Sequence, residues 1–501
     1  MNNRTKELIT AALVFVAAIL LALNTTRYFG RIDMTETKEF TISNTTKDYI
    51  KTIPEQVNLT YFISDKIRNI SPAAGQIEDL LFEYAANSRG HISTTSLDPS
   101  KTINEAYAKK MGITAQQVEI YDRNELAYST VFSGILIQYL DKTVAIPFIL
   151  DPSNLEYELS SKIQKLVENT TTKIGLLSGS NLNTVDYYYS YLQETLKRSG
   201  EVIVLNRGEQ VDPEITVLYV LGNKDFTEDD MHYIDEYIMN GGKAVFALDG
   251  VEVDMADNLK AAKLENNPAL EMLKKWGITI NNDMVLDKYC KKITMKGSLP
   301  MNYPMWLSIN SKFVNRDNPI TAGFASLDMM WASSIELNPV PGLSYQELFT
   351  STTESWILSD YLTGNPYEAF TTQNLVQESK GSHPLAYAVT GQFPSAFSGK
   401  VSKDTKIIVA GDADFLSNLI EYTESPANLM FAENLLQWLD NDRFMNIKTR
   451  SVRDIRLNKI TDLSSKVRAI LAVYLVNIFI IPAGIIIYGI VRYIRRKRKD
   501  A

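Results

Sequence analysis

Two stretches of the chain carry no charge, and between them the apolar positions recur at intervals that alternate between strand and helix. Leu8 to Leu23 (LITAALVFVAAILLAL) and Ala469 to Val491 (AILAVYLVNIFIIPAGIIIYGIV) are the uncharged stretches. The second is long enough to cross a hydrocarbon core of about 30 Å as a helix. Its Pro482 and Gly484 are better tolerated in lipid than in a soluble helix. The first is shorter and close to Met1, as a secretory signal would be, but the LNTTRYF that follows it offers no small-residue cleavage site. It reads as an uncleaved anchor. The pattern predicts a cytoplasmic N-terminus (residues 1–7), transmembrane helices at 8–23 and 469–491, and a tail at 492–501.

Residues 24–170 read as a small α/β domain. NTTKDYIKTI predicts a helix, VNLTYFIS alternates as a strand, and GQIEDLLFEYAANSRG puts Ile77, Leu80, Leu81 and Tyr84 on one helical face before closing on Gly90. HISTTSLDP predicts another strand, SGILIQYLDKTVAIPFIL a hairpin, and NLEYELSSKIQKLVENT an amphipathic helix. A second unit covers 171–440. TKIGLLSGSN, EVIVLN, ITVLYVLGN, KAVFALDG and TKIIVAGDADFLSN are short apolar strands. Helices DYYYSYLQETLKRSG, TEDDMHYIDEYIMNGG (N-capped by Thr227) and ANLMFAENLLQWLD alternate with them. That alternation predicts a parallel, doubly wound sheet. From about 251 to 400 the pattern blurs and suggests an insertion; 441–468 reads as a charged connector.

Charge sharpens this picture at one end. The last ten residues hold Arg492, Arg495, Arg496, Lys497, Arg498 and Lys499, although the whole chain has a formal net charge of −8. Directly beside an apolar span, such a cluster marks the cytoplasmic side and is drawn to anionic lipid headgroups. The density of this cluster favours both termini in the cytoplasm and residues 24–468 outside, in a bacterial cytoplasmic membrane. Arg27, Arg31 and the basic residues from Arg450 to Arg468 flank the other ends of the spans and leave the reverse topology open. With an acidic pI near 5.3, the chain lacks the broad basic surface of a nucleic-acid binder. A single cysteine, Cys290, excludes an internal disulfide and any zinc site built on several thiolates.

Candidate chemistry is sparse. There is no G-x-x-x-x-G-K-[ST] phosphate loop and no H-E-x-x-H; His91, His232 and His383 stand far apart in sequence and read as surface or packing residues. GDADF is the sharper signal, because Asp412 and Asp414 follow the strand KIIVA. Ligands of open α/β sheets bind beyond the carboxyl ends of strands, where two carboxylates can hold a cation or a polar ligand, or simply shape a turn. Ser178, Gly179, Ser180 and Asn181 end another strand and can line the same crevice or form their own turn. KAVFAL runs into Asp249-Gly250, with neither Ser nor Cys at the elbow where hydrolases of such sheets carry their nucleophile.

The anchor followed by RIDMTETKEFTIS resembles the R-x-D-[LM]-T-x-x-K-x-[FY]-T-[LI]-S signature of the gliding-motility-type ABC-transporter auxiliary proteins (GldG-like). LEYELSSKIQKL, KIGLLSGS, NGGKAVFALDG, KWGITINNDMVLD and VAGDADFLSN…NLLQWL follow in that family's order, and the arginine-rich end fits as well. The resemblance implies a membrane-anchored, extracytoplasmic ABC-transporter component whose partners are a separate ATPase and a separate multi-span permease. It also implies a second domain similar to flavodoxin-like, glutamine-amidotransferase-like folds, without the Cys those enzymes need. The expectation is a non-enzymatic auxiliary or substrate-binding-like subunit without a cofactor, working with permease, ATPase and membrane lipids. Two alternatives compete with it: an anchored enzyme using the Asp412/Asp414 crevice, and a glycan- or cell-wall-binding module built on the Tyr/Trp-rich region at 301–367.

Overall fold

The computed structural model describes residues 41–448, apart from 101, 123–124, 295–298, 322–323, 325, 361, 369–378, 424–425 and 441–442, together with 488–489. The expected spans at 8–23 and 469–491 and the basic tail from Arg492 to Lys499 lie outside the described residues, save 488–489. No helix among the described residues is long and apolar enough to cross a membrane.

The chain opens with α1 (Asn44–Ile50), β1 (Val57–Ile63), α2 (Asp65–Ile70), α3 (Pro72–Asn87), β2 (Ile92–Leu97) and α4 (Thr102–Lys110). It continues through β3 (Ala115–Asp122), β4 (Glu125–Tyr139), β5 (Lys142–Ile146) and α5 (Leu155–Glu168). These strands form a five-stranded sheet in the order β2-β1-β4-β3, with β5 also paired to β4. Only β1 and β2 run parallel. α3 buries Ile77, Leu81 and Tyr84 as the helical spacing predicts, with Leu80 at the margin. Its exit turn places Gly90 at φ +93°, a conformation that glycine adopts without a steric cost.

The larger sheet begins with β6 (Lys173–Ser178), followed by α6 (Val185–Tyr188), α7 (Ser190–Leu196), β7 (Glu201–Leu205), β8 (Val217–Leu221), α8 (Glu228–Met239) and β9 (Ala244–Ala247). β10 (Val251–Asp254), β11 (Lys260–Lys263), α9 (Pro268–Lys275), β12 (Ile278–Ile280), β13 (Met284–Asp287), β14 (Cys290–Ile293), β15 (Met301–Asn310), β16 (Ser326–Met330) and β17 (Ile335–Leu337) follow. Last come β18 (Leu343–Thr350), β19 (Ser355–Leu358), β20 (Pro384–Pro394), β21 (Val401–Ala410), α10 (Ala427–Asp440) and α11 (Met445–Lys448).

Seven strands form the main sheet in the order β18-β20-β21-β9-β8-β6-β7. The five from β21 to β7 are parallel. Their spatial order, read in chain order as 2-1-3-4-5, is that of flavodoxin-like sheets, with the switch point between β6 and β8. β8 and β9 are buried at every position, as strands covered on both faces must be. α8 starts on a full capping box: the Thr227 hydroxyl accepts from the Asp230 amide, and Asp230 accepts from the Thr227 amide at 2.9 Å.

One expectation needs correcting. The sheet is mixed, because β18 and β20 from the segment read as an insertion extend it antiparallel beyond β21. Hairpin strands need no crossover helix, so their signal in sequence is weaker than that of the βα repeats. The rest of the segment folds over the sheet's carboxyl edge through β14-β15-β16 and three strand pairs, β10-β11, β12-β17 and β13-β19. Three of its aromatic residues turn inward: Tyr303, Trp306 and Trp331 pack edge to face, and the Trp331 indole N–H donates to the Tyr303 hydroxyl at 2.7 Å. A packed interior of this kind leaves those rings unavailable as a sugar platform.

Candidate functional site

The parallel strands β21, β9, β8 and β6 end side by side, and their exit turns carry the chemistry the sequence pointed to. Asp412 follows β21 after Gly411, and Asp249 follows β9 after Leu248. The two turns are tied directly, because Asp249 Oδ1 accepts from the Ala413 amide at 2.7 Å. Asn223, beyond β8, donates from its side chain to Asp249 O and accepts from the Asp249 amide at 2.8 Å. Asn267, the N-cap of α9, in turn donates to Asn223 O at 2.6 Å.

Asp412 is fully buried. Its Oδ1 accepts from the Asp414 and Phe415 amides at 2.7 and 3.0 Å, the turn-shaping role open to any Asp at a strand exit. Its Oδ2 accepts from the Met330 amide at 2.7 Å, so the end of β16 closes the site from above. Asp414 Oδ1 accepts from the Tyr188 hydroxyl at 2.8 Å, from the C-terminal end of α6. One ligand-capable oxygen from each of Asp249, Asp412 and Asp414 lies within 4.8 Å of the other two.

Three carboxylates at this spacing and depth resist ionising together. Burial pushes all three upward from the ordinary Asp range. The negative neighbours Asp414 and Asp249 add to the effect at Asp412, while the Met330 and Phe415 amides oppose it. At Asp249 the order is burial, then Asp414, with the Ala413 amide acting the other way. Asp414 is pushed up to about 7 by burial, eased by Tyr188 and reinforced by Glu252. The site thus gathers three acids that hold their protons far above the ordinary Asp range, with no Lys or Arg ion-paired to it among the described residues. Such a cluster either retains protons or takes a cation.

The Ser178–Asn181 turn adjoins this site without entering it. The Ser178 hydroxyl donates to Asn183 O at 2.6 Å, the Ser180 hydroxyl accepts from the Leu182 and Asn183 amides, and the Asn181 side chain accepts from Arg207. Gly179 meets the end of β8 so closely that a Cβ there would lie 2.4 Å from Gly222 O. The residue type at 179 is therefore fixed by packing. His232 is exposed, and His383 sits in the inserted segment with Nε2 at 2.8 Å from Ser379 O. Burial pushes the Cys290 thiol up, which disfavours its thiolate.

The structure adds Tyr188 and Tyr189, Asn223 and the Met330 amide to the residues named from sequence. DYYYSYLQ looks like an ordinary helix, and nothing in its spacing says that Tyr188, at the break between α6 and α7, donates to a strand-end carboxylate while Tyr189 packs beside it. Asn223 stands in a strand-end LGN turn and was within reach of the same reasoning that found Asp412.

Residues 171–447 match a family model described as "ABC-type uncharacterized transport system", and residues 36–138 match a domain of unknown function (DUF7088). An uncharacterized protein of Borreliella burgdorferi is 28% identical over 510 residues, an alignment that covers all of both chains. Among solved structures, a ThuA-like protein from Parabacteroides merdae aligns with 55% of this chain and 91% of its own at 11% identity and a TM-score of 0.29. A β-galactosidase from Halorubrum lacusprofundi aligns with 54% of this chain and 30% of its own at 13% identity and a TM-score of 0.26.

Proposed function

The chain belongs to the ABC-type uncharacterized transport system family, and on that premise we propose that it is a non-enzymatic auxiliary subunit of an ABC transporter complex. Helices at 8–23 and 469–491 anchor it in a bacterial cytoplasmic membrane. The folded mass works outside, and a separate permease and a separate ATPase supply the pathway and the energy. The basic tail, Arg492 to Lys499, holds the C-terminus at the inner leaflet.

The observation that carries this reading is the make-up of the sheet's carboxyl edge. Where hydrolases of open α/β sheets present an activated nucleophile, this edge presents carboxylates whose oxygens accept from the backbone of neighbouring turns. The hydroxyls of Ser178, Ser333 and Ser417 around it each donate to a backbone carbonyl. That chemistry suits holding a ligand or a partner in place. Among the described residues no serine, threonine or cysteine side chain is hydrogen-bonded to Asp249, Asp412 or Asp414, as a nucleophile is to its base in covalent catalysis.

Affinity purification of the full chain from detergent-solubilised membranes is expected to recover a polytopic permease and a nucleotide-binding subunit; recovery of neither removes the reading. Protease added to spheroplasts is expected to digest the region 24–468 and spare the tail. The opposite pattern inverts the topology and the role with it.

A further inference from the structure

We propose that Asp249, Asp412 and Asp414, with the Tyr189 hydroxyl beside them, form a binding site for one hard divalent cation of the Ca²⁺ class. The donor set is all oxygen and comes from two adjacent strand exits, with no His or Cys in the cluster. That composition favours Ca²⁺ or Mg²⁺ over zinc or copper. Mg²⁺ is usually held by one or two carboxylates in near-ideal octahedral geometry, whereas Ca²⁺ gathers several carboxylate oxygens in a larger, flexible shell. The three ligand oxygens lie within 4.8 Å of one another, close enough for small side-chain shifts to bring them onto one such ion. The lone pairs are also in place. Asp249 Oδ1 and Asp414 Oδ1 each accept one hydrogen bond. Among the described residues, the second oxygen of each accepts none.

Tyr189 points to the ligand independently of the acids. It is 2% exposed, yet its hydroxyl makes no hydrogen bond among the described residues, whereas neighbouring Tyr188 spends its own on Asp414. Buried phenols ordinarily find a partner. The Tyr189 hydroxyl lies over the end of β8, 3.8 Å from where a Cβ on Gly222 would stand, and that same point is 4.0 Å from Ala413 Cβ. Ala413 separates Asp412 from Asp414 and donates its amide to Asp249. The hydroxyl therefore lies at the same strand exits as the cluster, near enough that Asp414, Asp249 and Asp412 all act on it electrostatically. Gly222, at φ +69°, keeps this approach open. A Ca²⁺ shell completed by water gives the hydroxyl its partner, one of the waters that the carboxylates alone leave unanchored.

Titration calorimetry of the chelator-treated full chain with CaCl₂ and with MgCl₂ tests this. The expected result is one saturable Ca²⁺ site per chain with weaker Mg²⁺ binding. Asp414→Asn should weaken Ca²⁺ by on the order of 100-fold, and Tyr189→Phe by roughly 10-fold, as for outer-shell partners. Saturable binding that Asp249→Asn and Asp414→Asn leave unchanged overturns the site, and so does wild-type protein with no saturable heat. Mg²⁺ binding as tight as Ca²⁺ overturns the ion assignment. Should either Asn variant fail to fold by circular dichroism, the wild-type isotherms and Tyr189→Phe still decide. The proposal is independent of the transporter reading, which copurification tests separately.

Discussion

Asp283 and Asp287 in the inserted segment, and Asp249, Asp412 and Asp414 at the sheet's edge, are two sets of sequestered carboxylates with opposite surroundings. Asp283 accepts from the Ser334 amide at 2.8 Å and the Ser334 hydroxyl at 2.6 Å. Asp287 accepts from the Thr352 amide and hydroxyl at 2.7 and 2.8 Å and from the Tyr289 amide at 2.9 Å. Each fastens one strand end to one turn, with donors on both oxygens. At the edge, three acids share one small volume, and among the described residues two of their oxygens and one tyrosine hydroxyl have no hydrogen-bond partner. Donor supply separates a fastener from a site: burial alone is common to both sets, and only the edge has binding capacity left over.

The comparison breaks most sharply at Asp412. Asp412→Ala leaves the Met330, Asp414 and Phe415 amides without their acceptor and is expected to cost roughly 3 to 5 kcal/mol in urea unfolding. A loss below about 1 kcal/mol would mean that this carboxylate fastens nothing. Asp283→Ala strands the Ser334 pair and is expected to cost about 2 to 3 kcal/mol, with Ca²⁺ affinity unchanged by calorimetry. Coupling between Asp283 and Ca²⁺ would erase the distinction drawn above.

A pH series sharpens it further. The folded value of Asp414, about 7, lies above the ordinary 3.8. The native carboxyl therefore keeps a proton that the unfolded chain has released. The stability this contributes is complete below about pH 4 and is lost as pH rises to about 7. In chelator, wild-type unfolding free energy is expected to fall by roughly 2 to 4 kcal/mol more than that of Asp414→Asn across this window. Identical pH profiles would show that the edge carries no electrostatic strain. Tyr188→Phe, which removes one hydroxyl donor from Asp414, is the smallest change, at about 1 kcal/mol in thermal unfolding.

Much of the fold was legible because parallel strands buried on both faces write continuous apolar runs: KIGLLS, VLYVL and AVFA became β6, β8 and β9. The acids were legible for the same reason, since a strand that stops at an Asp-rich turn in an open sheet marks the edge where ligands bind. Three things were not. β18 and β20 join the sheet through hairpin pairing across dozens of residues, and no local period reports a partner that distant. Tyr188 and Tyr189 are placed by a break between two short helices, where DYYYSYLQ reads as one. The Met330 amide reaches Asp412 only because the inserted β16 lies over the edge, a contact that backbone chemistry makes without a side-chain signature.

Hydrogen–deuterium exchange on the full chain, with chelator and then with saturating Ca²⁺, tests most directly whether the edge and not the insertion is the working site. The account predicts slowed exchange in the segments around 187–190, 247–250, 330 and 411–416, with the amides around 283–287 unchanged. Protection centred on 283–287, or no protection anywhere, would contradict it.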